Sequence, residues 1–114
     1  MHELGTVVYV IDTVEKICKE QELSKVGSIT LEVGEVSGII PEYLIDFYNW
    51  AKLKSDYLKE SELLIENIEA VTFCQDCKKT YETIKYGKEC PHCLGKNTFL
   101  IKGNEYNIKQ IEAM

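Results

Sequence analysis

Along the first part of the chain, apolar residues recur at steps of three and four. Leu4, Val7, Val8, Ile11, Val14 and Cys18 follow this pattern, with Asp12, Glu15, Lys16 and Lys19 between them. One apolar face on a helix has this signature. A helix is predicted over 4–23, with Cys18 packed as a small hydrophobe. After a break at Lys25-Val26-Gly27 the period changes to two. Ile29, Leu31 and Val33 alternate with Thr30, Glu32 and Gly34, a half-buried strand. Gly34 to Gly38 reads as the strand end and a turn. Pro41 then opens a second helix, where its missing N–H costs nothing. Tyr43, Leu44, Phe47, Tyr48, Trp50 and Ala51 give that helix an aromatic-rich face running to Leu53, expected to be core. Residues 55–60 are polar and read as a loop. Leu63, Ile65 and Ile68 mark a short strand over 62–69, and Tyr106, Ile108 and Ile111 mark a last one. Segments 62–69 and 104–112 flank a stretch of different character and are expected to pair antiparallel. The fold class is therefore α+β: two helices on a small three-stranded mixed or antiparallel sheet, with an inserted domain. The body takes residues 1–69 plus 100–114, and the insert 70–99.

The insert is organised by Cys74-Gln75-Asp76-Cys77 and, twelve residues later, Cys90-Pro91-His92-Cys93. Two residues between paired cysteines let the backbone turn so that both sulfurs face one centre. The longer loop brings the second pair round to close a tetrahedron. Four thiolates with no open position make a structural zinc site; iron is the less common occupant. Two disulfides would need an oxidising compartment. Pro91 presets one φ of the second knuckle. His92 lies between two ligands, where a fifth ligand would compete with a closed tetrahedron, so it is expected to be an exposed knuckle residue. In small zinc modules such a metal contributes about 10–16 kcal/mol to folding.

Charge narrows the function. The chain has 114 residues and a net charge of −6. Residues 1–69 hold 6 Lys against 14 Asp and Glu, whereas residues 70–99 hold 5 Lys against 3 acids, and there is no Arg. A module that grips phosphates needs a basic face, so no nucleic-acid partner is expected. An acidic body suits a cation or a protein partner. No run approaches the roughly 18 apolar residues of a membrane span, and no signal peptide is read. With a fifth cysteine unpaired in sequence, a cytoplasmic protein is expected. No Ser/His/Asp or Cys/His arrangement is available and no phosphate-binding Gly-x-x-x-x-Gly-Lys loop is present, so the chain is not read as an enzyme. The cysteine pairs alone leave two other readings, a zinc-ribbon interaction module for nucleic acid or transcription machinery, and a rubredoxin-like iron redox centre.

Met1-His2-Glu3 offers an α-amine, an imidazole and a carboxylate within three residues, followed at once by a helix. The intervening amide nitrogen is a fourth donor once deprotonated. Nitrogen-rich tetragonal surroundings suit Ni(II) or Cu(II), although a terminal histidine is more often idle.

Taken together, these features resemble the HypA/HybF family of nickel-hydrogenase maturation factors. The likeness is carried by Met-His-Glu-Leu at the start, Leu31-Glu32-Val33-Gly34-Glu35-Val36-Ser37-Gly38 before Pro41, the four cysteines, and Gly103-Asn104-Glu105 before the last strand. The resemblance implies a metallochaperone with a nickel-binding α/β domain and a zinc domain. His2 would be the principal nickel ligand, with the Met1 amine and the His2 amide as further donors and Glu3 as ligand or tuner. Cys74, Cys77, Cys90 and Cys93 would hold Zn(II). A partner nucleotide hydrolase and the large subunit of a [NiFe]-hydrogenase are the implied partners, and some members also serve urease. Two departures stand out. Gly5-Thr6 occupies a position where the family often has Ser and an apolar residue, and no histidine flanks the cysteine pairs.

Overall fold

The computed structural model describes residues 2–114, with side chains from Glu3 onward. The first apolar repeat does form a helix, α1 (His2–Glu20), which buries only part of the expected face and adds Val10 to it. Val7, Val10, Val14 and Cys18 are buried with Glu3 and Thr6, while Leu4 and Val8 stand exposed. Both stripes are apolar in sequence and lie about 100° apart round the helix. Packing against the second helix, α2 (Pro41–Ala51), goes with burial of only one of them. Cys18 is fully buried, as expected, and burial, followed by the Glu15 charge, pushes its thiol up.

Strand β1 (Val26–Gly34) starts where a break was expected. Val26 is buried and donates its N–H to the Tyr57 carbonyl at 3.0 Å. Strands β2 (Glu62–Ile68) and β6 (Tyr106–Ala113) flank β1 in the order β2-β1-β6. The expected pairing of 62–69 with 104–112 is therefore corrected, because β1 lies between them. The reason is burial. β1 buries Val26, Ile29, Leu31 and Val33, whereas β2 buries only Leu63 and β6 buries no residue. The most apolar strand takes the centre, and the charged strands take the edges. Hydrogen bonds from Lys25 and Met114 at one end to Gly34 and Glu105 at the other make β1 and β6 antiparallel. Lys109 of β6 reaches Glu66 of β2 at 2.7 Å.

Helix α2 has no side-chain cap from its own sequence, since Ile40 holds the N-cap position and Pro41 follows. The cap comes from α1: Glu3 Oε2 accepts the Ile40 N–H at 3.1 Å. A carboxylate there also complements the positive helix end. Leu44 and Tyr48 are buried, but Tyr43 and Trp50 are 53% and 59% exposed, so the aromatic face is only partly core. Lys54 Nζ lies 4.5 Å from the Trp50 ring centroid. Tyr48 donates its hydroxyl to Ser61 Oγ, which itself donates to the Leu58 carbonyl at 2.5 Å. Ser55 Oγ donates to Glu15 Oε2 at 2.8 Å. The segment expected as a polar loop is thus tied inward at both ends, with its buried hydroxyls paired.

The chain divides into two compact units. The first comprises Met1–Glu32, Ile39–Glu66 and Asn107–Met114; the second comprises Val33–Gly38 and Asn67–Tyr106. The second is wider than the expected 70–99 insert, for two reasons. Its sheet extends to Lys102, and the Val33–Gly38 turn is bound into it. Gly34 N–H donates to the Glu105 carbonyl at 2.7 Å, Glu35 N–H to Ile68 at 2.8 Å and Val36 N–H to Gly103 at 2.7 Å. Glu35 Oε1 accepts the Ala70 N–H at 3.0 Å, and Glu105 Oε1 accepts the Gly103 N–H at 2.8 Å. A side chain on Gly34 would overlap the Gly103 carbonyl, and Gly103, at φ +115, backs onto Ala70. The stretches around Gly34 and Gly103 therefore form one structural joint.

Candidate metal centre

The second unit is built on an antiparallel sheet, β4-β3-β5, comprising β3 (Val71–Cys74), β4 (Thr80–Glu82) and β5 (Thr98–Lys102). A one-turn helix, α3 (Thr83–Tyr86), follows β4. Phe73 and Phe99 pair across β3 and β5 with ring centroids 5.5 Å apart. On the opposite side of β3, Cys74 is buried in a small cluster with Tyr81 and Cys90.

Both Cys-x-x-Cys pairs close in the same way. In the first, Cys74 N–H donates to the Lys79 carbonyl and Lys78 N–H returns to the Cys74 carbonyl, both at 2.9 Å. In the second, Cys90 N–H donates to Gly95 at 2.9 Å and Leu94 N–H returns to Cys90 at 2.8 Å. The residue after each second cysteine is left-handed, Lys78 at φ 63 and Leu94 at φ 62. Nothing in those two residue types announces it, and glycine is the usual tenant of this conformation.

All four sulfurs lie within 4.8 Å of one another, and they are the only such group of potential metal ligands among the described residues. Cys74 Sγ is 3.6 Å from Cys93 Sγ, and Cys77 Sγ is 3.6 Å from Cys90 Sγ. All four thiols are free. Sulfurs about 2.3 Å from one zinc stand roughly 3.8 Å apart on a tetrahedron, so the donor set and its spacing fit a four-thiolate metal. The site is closed on one side, with Cys74 and Cys90 fully buried, and open at Cys93. Burial opposes ionisation of Cys90, but the Cys93 and His92 N–H groups and the neighbouring thiols outweigh it and bring Cys90 down to about 7. Gly95 N–H favours the Cys93 thiolate, yet Cys74, burial and the other two sulfurs push Cys93 up to about 12. Cys77 is raised too, chiefly by burial. A dication replaces the protons that this cluster otherwise shares.

His92 is exposed, as expected, and its N–H points to Cys90 Sγ at 3.4 Å. A side chain on Gly95 would press on the Asp76 carboxylate and Cys93 Sγ, so both lie against Gly95. Of the expected nickel donors, Met1 and the His2 side chain lie outside the described residues, and Glu3 is the buried cap of α2.

The family model described as "Hydrogenase/urease nickel incorporation, metallochaperone, hypA" matches residues 1–113. The chain belongs to the HypA family. A hydrogenase maturation factor HypA from Geotalea uraniireducens is 31% identical over 114 residues, covering 99% of each chain. Another HypA, from Chlorobaculum parvum, is 32% identical over 111 residues, covering 97% of each. The solution structure of the Ni metallochaperone HypA from Helicobacter pylori matches the fold with a TM-score of 0.72 at 21% identity, over 98% of this chain and 97% of that one. A second HypA solution structure gives 0.76 at 24% identity, over 100% of this chain and 97% of that one. The HypA family is one of nickel-incorporation metallochaperones, so this chain acts as a carrier in hydrogenase maturation and not as an enzyme. Among the described residues no helix is long and apolar enough to cross a membrane.

Proposed function

We propose that this chain binds Ni(II) at its N-terminus and delivers it, in the cytoplasm, to the large subunit of a [NiFe]-hydrogenase. His2 is the principal ligand, with the Met1 amine and the His2 amide as further donors. In this reading residues 1–69 plus 100–114 serve nickel, and residues 70–99 hold Zn(II) on Cys74, Cys77, Cys90 and Cys93 as a permanent structural ion. A partner nucleotide hydrolase supplies the energy step. The observation that carries the proposal is a family match that begins at residue 1 and so takes in Met1-His2-Glu3. The chemistry supports it. A few donors at one end of a chain are open to exchange, which suits an ion that must leave, whereas four thiolates suit one that stays. Glu3 has structural employment as the α2 cap, so its part toward nickel is to fix the start of α1. Calorimetry on untagged protein is expected to show one Ni(II) site. His2→Ala, or a residue added before Met1, abolishes it while bound zinc is unchanged. Full nickel binding in both variants overturns the reading.

A further inference from the structure

We propose that the second unit carries a docking groove for an extended acidic segment of a partner protein, held between Lys88 and Lys96 along strand β5. The groove has a volume of about 330 Å³. Its apolar surface comes from Val36, Phe99 and Leu100. The threonines in it have already spent their hydroxyls: Thr72 pairs with Thr83 at 2.6 Å, and Thr98 donates to the Lys88 carbonyl at 2.8 Å. What the groove offers a visitor is therefore methyl and aromatic surface, with charge only at Lys88 and Lys96. No carboxylate lines it. Both lysines are exposed, and among the described residues neither has an ion-pair partner, whereas Lys25, Lys59 and Lys109 are each paired with an acid. The neighbouring cavity of about 450 Å³ is different in kind, because Glu82 lines it together with Lys85. Two unpaired cations over an apolar floor complement an occupant with an apolar body and flanking carboxylates.

The shape of the occupant follows from the sheet. β5 lies at an edge of β4-β3-β5, so one row of its backbone groups is not used by the sheet. An extended peptide can take that row, with main-chain bonds supplying affinity and the groove supplying selection. A phosphate backbone is the poorer fit, since two lysines are no basic track and the chain carries −6 without an arginine. The proposal does not depend on where nickel binds.

The test uses the full chain, metal-loaded and ¹⁵N-labelled, titrated with the peptide acetyl-Glu-Leu-Asp-Leu-Glu-amide. Amide shifts at Thr72, Lys88 and residues 96–100 are expected. Affinity should fall at least tenfold for the peptide with Gln and Asn in place of its acids, and at least tenfold in the K88E/K96E double variant, with bound metal and the amide spectrum elsewhere unchanged. The proposal is overturned by no shift at millimolar peptide, by shifts mapping to another surface, by equal binding of the neutral peptide or of the double variant, or by a short oligouridylate binding the same residues more tightly than the peptide.

Discussion

Lys78 and Leu94 hold a left-handed backbone at matching places in the two knuckles. For a residue with a side chain that conformation costs about 1–2 kcal/mol, and it persists because the four sulfurs over-determine the turns. Lys78→Gly and Leu94→Gly should each stabilise the metal-loaded protein by about 1 kcal/mol, glycine's greater freedom when unfolded offsetting part of the relief. Guanidinium unfolding of the second unit, followed by amide signals, would read this; a lower midpoint in the glycine variants would contradict it. Glu3 poses the complementary case. Glu3→Ala removes the α2 cap and should cost about 1 kcal/mol, while Glu3→Gln keeps an acceptor for Ile40 N–H and should cost less. Urea midpoints measured without nickel separate this role from metal binding. The cysteines were legible at this scale because spacing and chemistry sit in the same few residues. The Glu3 cap was not, because its partner lies 37 positions on. The strained knuckle residues were not, because Lys and Leu carry no local sign of a positive φ.

Among the elements, the helices and strands were readable from periodicity, but which face and which neighbour each would take was not. α1 has two apolar stripes, and only the packing partner selects Val7, Val10, Val14 and Cys18 over Leu4 and Val8. β2 and β6 looked like neighbours because they flank one insert, yet the greater burial of β1 wins the centre of the sheet. Tyr48 offers a test of how α2 is held. Burial raises its pKa. The folded state therefore keeps its phenol proton at a pH where the unfolded chain, near 10, gives it up. Stability from this residue is complete below that value and is lost as pH rises through it toward the folded pKa. Tyr48→Phe should lower stability at pH 8 but show a shallower decline at pH 10.5, as measured by urea midpoints. The Gly34–Gly103 joint was visible only as a run of motif residues. Gly103→Ala, at φ +115 and against Ala70, should cost more than 2 kcal/mol by thermal unfolding.

For the whole molecule, the division of labour follows from how each unit is held. The first unit buries a conventional core on α1, α2 and β1. The second buries little beyond Val33, Ala70, Thr72, Tyr81, Cys74 and Cys90, so a metal on its four thiols would supply what its core lacks. A strong chelator should therefore collapse the amide dispersion of residues 67–106 while leaving that of α1 and α2 in place. Acid should do the same. A metal on these cysteines would sit on thiolates, and protons compete for them as pH falls. Loading the metal at pH 7.5 should release protons from the thiols, detected with a pH indicator in weak buffer. The family was legible because its motifs run from the first residues to the last strand. The exact partition of the chain was not, because Val33–Gly38 joins the second unit through backbone bonds to residues far away in sequence.

Trp50, exposed on α2 beside Lys54, is the only tryptophan in the chain, and the second unit has none. The protein thus has two optical channels. Emission excited selectively at the indole reports the first unit alone. It should be red-shifted and readily quenched by iodide, an anion that Lys54 draws toward the ring. Tyrosine emission includes Tyr81, clustered with Cys74 and Cys90, and Tyr86, packed edge to face against it. Stripping the metal should change the tyrosine light and leave the indole light as it was, so one cuvette distinguishes loss of the metal unit from loss of the whole fold.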